Sequence, residues 1–312
     1  MKAVFHVGFP KSGSTFLQWQ CFCHLEEYAY MGIHAAKDNK PLYDLLDRFH
    51  TNIFKTDGLN FDYEQACKDL DTIRNLSNQK PSLFSYEYGI GVLFGYPDAI
   101  TKARRLHEVF GDNIKIIIIV REQKSILVSH YRDHPFEPHD IHRGKPVSFE
   151  KWYNLTNNLR YFRATDLVHY TKLINEYDKL FGKENVLVLP MEYMSHNPQD
   201  YAQKMGVFLG VDPAVIESHI KKDPVNIGKS AGTNRIRKLR RKFPLPVEFS
   251  KILPPWLYKA VINIIQKGGS EKIEISHRLE QTLNKRYGPT NKLLQDRINL
   301  PLGDLGYPMC DE

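Results

Sequence analysis

The sequence predicts an α/β fold of three layers, with a central parallel sheet between two layers of helices. Three observations lead there. Strand-length apolar runs alternate with helix-period patterns along residues 2–210 without hairpin signals between them, and strands joined by helices run parallel. The run Ile114-Lys115-Ile116-Ile117-Ile118-Ile119-Val120 is β-branched at every position but one, as suits a strand covered on both faces. The first apolar run, Ala3–Val7, passes straight into Gly8-Phe9-Pro10-Lys11-Ser12-Gly13-Ser14-Thr15, the frame of a phosphate-binding turn between a strand and a helix.

The elements follow in order. Residues 2–7 are nearly all apolar and read as a strand. Residues 14–27 read as a helix with Phe16, Leu17, Cys21 and Leu25 on one side. Residues 30–60 hold Gly32, Pro41 and Gly58 and read as irregular, around a short helix near Leu42–Phe49. Tyr63, Ala66, Leu70 and Ile73 repeat at helical spacing within 62–76. Pro81–Glu87 reads as a second short strand ending on a carboxylate, and 98–110 as a helix closed by Gly111. After the 114–120 strand comes a helix to about Tyr131, then a loop rich in His and Pro over 132–147. Residues 149–181 are helical with a break. Asn185–Leu189 is a fourth strand, stopped by Pro190, and helices follow at 199–209, opened by Asn197-Pro198, and at 213–220.

The length suits one large α/β domain with insertions or two small ones, and the composition is that of a soluble globular protein. The expectation is a single domain over 1–312, with a nucleotide-binding core at 1–220 and a basic loop plus helical extension at 221–312. No apolar run approaches the roughly 18–20 residues of a membrane span. The opening residues go directly into a strand, so a cytoplasmic location is expected. Cys21, Cys23, Cys67 and Cys310 lack metal-type spacing and are expected as thiols. The net charge of +7 is concentrated: residues 221–242 hold nine Lys/Arg against Asp223 alone. Such a patch suits an anionic cofactor, an acidic polymer or a membrane face.

In an open parallel sheet, ligands gather at the carboxyl ends of the strands. The polar residues just after the strands are therefore the ones to weigh: Lys11, Glu87, Arg121 and Glu192. Gly8 and Gly13 are five apart and Ser14-Thr15 follow, but Ser14 stands where the usual phosphate loop has Lys. The lysine sits inside the loop, at Lys11. A nucleotide triphosphatase also needs a strand ending in Asp to hold magnesium; the strongest strand here ends at Arg121. Eight residues on lies Ser129, and together the two offer a fork and a hydroxyl to a second phosphate.

Phe9-Pro10-Lys11-Ser12-Gly13-Ser14-Thr15 resembles the 5′-phosphosulfate loop of the sulfotransferases that use 3′-phosphoadenosine 5′-phosphosulfate (PAPS), and Arg121 with Ser129 resembles their 3′-phosphate motif. Phe181–Glu192 and the Pro-led helix to Gly210 resemble a late strand and helix of the same family. The likeness covers most of 1–210 and is closer to bacterial and glycan-type members; the long C-terminal signature of the small-phenol branch is missing. It implies a P-loop-like fold, PAPS as co-substrate with 3′-phosphoadenosine 5′-phosphate (PAP) as product, and no metal. It also implies roles: Lys11, Ser12, Gly13, Ser14 and Thr15 at the phosphosulfate, Lys11 also in catalysis, and Glu87 as the base that takes the acceptor proton. His130 and His134 are the rival bases and acceptor contacts, whereas His6, inside the first strand, reads as a core histidine.

The loop Asn226–Arg235 resembles a late loop of glycan-type members that closes over PAPS, which implies Lys229, Ser230 and Arg235 at the co-substrate. The acceptor implied is a carbohydrate or glycoconjugate hydroxyl, with an amine, a lipid or a small alcohol as alternatives. Residues 237–267 read either as a basic, amphipathic surface that meets a membrane or as a helix packed on the core or a second copy. Nucleic acid is not expected, because no aromatic residues interleave with the basic run. A P-loop kinase acting on a small molecule and a non-enzymatic polyanion-binding protein are the competing readings.

Overall fold

The computed structural model describes residues 2–91, 99–133, 147–157, 164–221, 254 and 273–310. The chain forms two compact units, one of residues 1–124, 166–225 and 283–312, the other of 125–165 and 226–282.

The first unit holds a five-stranded sheet, all parallel, in the order β2-β3-β1-β4-β5. The strands are β1 (Ala3–Gly8), β2 (Ala29–Gly32), β3 (Ser82–Ser85), β4 (Ile114–Val120) and β5 (Val186–Pro190). Four of these lie where the apolar runs predict them. The edge strand β2 falls in the stretch read as irregular; it is four residues, Ala-Tyr-Met-Gly, too short and mixed for a pattern to show. Only its pairing with β3 makes it a strand.

Successive side chains of a strand face opposite layers, and β1 shows how both are filled. Phe5 stacks on Phe84 at 5.2 Å and meets Phe54 and Phe110 edge-on, from α2 (Lys40–Phe54) and α4 (Ala99–Phe110). Its neighbour His6 meets Phe22 on the other side. The three-layer arrangement follows from this two-sided burial. Polar caps set the helix starts: Asn39 accepts from the Leu42 N–H at α2, Asp62 from Gln65 at α3 (Tyr63–Leu76), and Asn197 from Asp200 at α9 (Pro198–Leu209).

The helix expected over 14–27 is three short turns instead. Helix α1 is Ser14–Phe16, followed by a π turn over Leu17–Cys21 and a 3-10 turn over Phe22–His24. π turns recur beside functional sites, and this one directly follows the phosphate-type loop. The break expected within 149–181 separates α6 (Phe149–Asn157) from α7 (Tyr170–Phe181). A short helix not anticipated, α8 (Met191–His196), leads away from β5. Helix α10 (Pro213–Ile220) follows α9. The last helix is α11 (His277–Ile298), and within the first unit its Arg297 guanidinium meets Asp178 at 2.7 and 2.8 Å.

In the second unit, helix α5 (Gln123–Asp133), from Ser125 onward, and α6 share an aromatic cluster of Tyr131, Phe149 and Trp152. The Tyr131 hydroxyl donates to the Val147 carbonyl at 2.7 Å. Among the described residues, no helix is long and apolar enough to cross a membrane.

Candidate active site

The loop after β1 is shaped by backbone that few residues adopt. Gly8 has φ +126° and Gly13 φ +78°. A Cβ on Gly8 would stand 2.5 Å from the carbonyl oxygen of Glu87, so only glycine fits. Lys11 itself sits at φ +70°, an uncommon value for a residue with a side chain. The Ser14 hydroxyl donates to the Phe9 carbonyl at 3.2 Å, so the loop is held by its own helix start. The first N–H groups of a helix have no partner within it, and here they follow the turn directly.

Ser12 is fully buried, and its hydroxyl meets no hydrogen-bond partner. A buried orphan hydroxyl calls for an explanation. An oxyanion seated in the turn would supply one, and the donor set of N–H groups, hydroxyl and lysine fits a phosphosulfate.

Arg121 follows the last residue of β4. Its Nη1 donates to the Lys11 carbonyl at 2.6 Å, which brings the strand end and the loop together. Its own carbonyl accepts from the Tyr170 hydroxyl, and the Tyr170 ring lies edge-on to Phe9 at 4.8 Å. The next N–H, that of Glu122, donates to Glu192 Oε1 at 3.0 Å. Glu192 Oε2 accepts from the Tyr307 hydroxyl at 3.1 Å. Burial pushes the Glu192 carboxyl above its usual range, opposed by these hydrogen bonds and by the charge of Arg121. Met191 lies against Gly13, 3.5 Å from where a Cβ would stand.

Glu87 lies two residues beyond β3, half-buried, in a turn laced to β1. The Tyr86 N–H donates to the His6 carbonyl at 3.0 Å and the Ile90 N–H to the Val7 carbonyl at 2.8 Å. The backbone of Glu87 therefore abuts the first glycine of the loop. His6 is the core histidine its position implies: its Nδ1 is 2.8 Å from Ser85 Oγ, and burial lowers it to about 3.

The structure thus brings Lys11, Ser12, Gly13, Ser14, Thr15 and Arg121 together, with the Glu87 backbone beside them. Ser129 and His130 lie on α5 in the second unit. His134, Lys229, Ser230 and Arg235 lie outside the described residues, as does nearly all of 237–267. Glu192 was readable as a strand-end carboxylate, but its partner Tyr307 and the Tyr170 that holds the Arg121 carbonyl carry no local signal.

The sulfotransferase domain family matches residues 2–242, most of the chain. The chain belongs to the sulfotransferase family. With the family comes the enzyme class, PAPS-dependent sulfuryl transfer. The fold agrees: a sulfotransferase from Alicyclobacillus acidocaldarius superposes with a TM-score of 0.53 at 14% identity, over 98% of this chain and 99% of that one. A sulfotransferase domain from the curacin biosynthetic pathway matches 71% of this chain and 78% of its own at 13% identity and a TM-score of 0.41. The mouse sulfotransferase SULT7A1, complexed with PAP, matches 84% of this chain and 82% of its own at 15% and 0.38. Among curated protein sequences, none matches this sulfotransferase.

Proposed function

We propose that this sulfotransferase moves the sulfuryl group of PAPS to a hydroxyl or amine of a carbohydrate or glycoconjugate, with Glu87 as the base. The observation that carries the reading is the joining of Arg121 to the loop carbonyl of Lys11, with the Glu87 backbone against Gly8. The Arg121 guanidinium and the backbones of the loop and of Glu87 thereby meet at one end of the sheet, where parallel-sheet ligands bind, which supports the reading.

In this scheme the N–H groups of residues 11–15, the Ser12 hydroxyl and the Lys11 ammonium hold the 5′-phosphosulfate. Arg121 contacts the 3′-phosphate; Ser129, and Lys229, Ser230 and Arg235, which lie outside the described residues, are assigned to the nucleotide on the family resemblance. The acceptor oxygen bonds to sulfur as the bond from sulfur to the bridging phosphate oxygen breaks. Glu87 takes the acceptor proton, and Lys11 offsets the charge gained by the leaving oxygen. Preorganised donors of this kind supply the main part of such a rate enhancement, about a hundredfold or more for each one. A carboxylate base, where the small-phenol branch has histidine, favours a sugar hydroxyl. The basic stretch 237–267 suits an acceptor at an anionic lipid surface, with the enzyme in the cytoplasm and peripheral to the membrane. A kinase reading asks for a strand ending in Asp, and the five strands end in Gly8, Gly32, Ser85, Val120 and Pro190.

The test is transfer from labelled PAPS to a panel of glycan, glycolipid and phenol acceptors. Sulfation of glycans that Glu87→Gln lowers at least a hundredfold, with PAP binding retained, supports the proposal. Nucleotide binding indifferent to the 3′-phosphate overturns the donor assignment. Full activity in Glu87→Gln together with its loss in His130→Ala or His134→Ala overturns the base.

A further inference from the structure

The C-terminal segment is hooked twice onto the residues that follow β4. Tyr307, buried, donates its hydroxyl to Glu192 Oε2 at 3.1 Å, and Glu192 Oε1 accepts from the Glu122 N–H at 3.0 Å. The second hook is one residue along on each side. The carbonyl of Pro308 accepts from Asn291 Nδ2 at 2.7 Å, and the Asn291 amide makes a double hydrogen bond with the Gln123 amide at 2.7 and 3.1 Å. Gln123 and Asn291 are both fully or nearly fully buried.

These contacts converge on Arg121. Sheet register pairs Val120 with Pro190, so the next residues of each strand, Arg121-Glu122 and Met191-Glu192, leave the sheet side by side. The Arg121 carbonyl is held by Tyr170, the N–H beyond it by Glu192, and the residue after that by Asn291. With the peptide group between Arg121 and Glu122 held at both its C=O and its N–H, and the Gln123 side chain held by Asn291, Arg121 sends its guanidinium to the Lys11 carbonyl. A carboxylate withdrawn from water is costly without partners, and the half-buried Glu192 has both oxygens engaged. A polar network with its members satisfied fixes one geometry.

We infer that Glu192 and Tyr307 are positioning residues for Arg121, so that the C-terminal segment of the chain sets how tightly a 3′-phosphorylated nucleotide is held. The inference rests on Arg121 as the 3′-phosphate contact. It predicts a loss of selectivity, not only of affinity, because the 5′ end is held chiefly by the loop after β1.

The experiment measures dissociation constants for PAP and for AMP, which lacks the 3′-phosphate, in the full chain and in Tyr307→Phe, Glu192→Gln and Asn291→Ala, each with its melting temperature. Tyr307→Phe keeps the buried ring and removes only the hydroxyl. The expected result is that the preference for PAP over AMP falls about tenfold in Tyr307→Phe and in Glu192→Gln, AMP affinity falling much less than PAP affinity. A preference equal to that of the unaltered chain in Tyr307→Phe overturns the inference, whether or not the melting temperature drops. Equal weakening of PAP and AMP also overturns it, since that is what general loosening would do. If the unaltered chain shows no preference for PAP, the donor assignment to Arg121 fails instead, which is a separate result.

Discussion

Arg121 Nη1 donates to the carbonyl oxygen of Lys11 at 2.6 Å, across 110 residues of sequence. One guanidinium thereby fixes the loop backbone and still has other N–H groups for an anion. A lysine cannot do both, since it has a single compact ammonium in place of a planar fork. Arg121→Lys is therefore expected to weaken PAP binding about tenfold or more, although the charge is conserved. Isothermal titration with PAP checks it, and unchanged affinity would show that charge alone suffices.

Ser12→Ala should separate stability from binding. The hydroxyl is buried without a protein partner, so its loss removes an unsatisfied group and the melting temperature should hold or rise. PAP affinity should fall several-fold, because a donor to the 5′ end is gone. A fall in melting temperature with unchanged affinity would make Ser12 a structural residue.

Gly8→Ala should damage both. The added carbon meets the Glu87 carbonyl at 2.5 Å, at a φ of +126° that alanine disfavours. Strain of this kind costs about 1–3 kcal/mol, and relieving it moves the Glu87 turn. Lower denaturant resistance together with lower transfer activity is the expected pair of results. Gly58→Ala is the control: nothing lies within 4 Å of its Cβ position, and its effect should stay within about 0.5 kcal/mol.

Acid should destabilise the fold early. Burial lowers His50 and His6 to about 3, while an unfolded chain binds these protons near pH 6.5. Between those values the unfolded state holds more protons, so stability falls as pH drops from about 6.5. His50 stacks on Tyr86 at 4.7 Å with neither ring nitrogen hydrogen-bonded, so phenylalanine suits its place. His50→Phe should flatten the decline by up to about 1.4 kcal/mol per pH unit, from denaturant melts at pH 7, 6 and 5.

The α/β class, the loop of residues 8–15, and the strand-end positions of Glu87, Arg121 and Glu192 are all legible in the order of the residues. These are local properties. Strand periods, glycine spacing and a lysine within a turn are written in neighbouring residues, and a parallel sheet brings its strand ends to one side. What those residues touch comes from packing between distant parts of the chain. The edge strand β2 exists because β3 pairs with it. Ser12 has an orphan hydroxyl because the packing around the loop buries it. Tyr307 reaches Glu192 across 115 residues, and Asn291 reaches Gln123 across 168. No period or motif records such partners, since a hydrogen bond between distant side chains depends on how the elements pack and leaves no regular spacing in the chain.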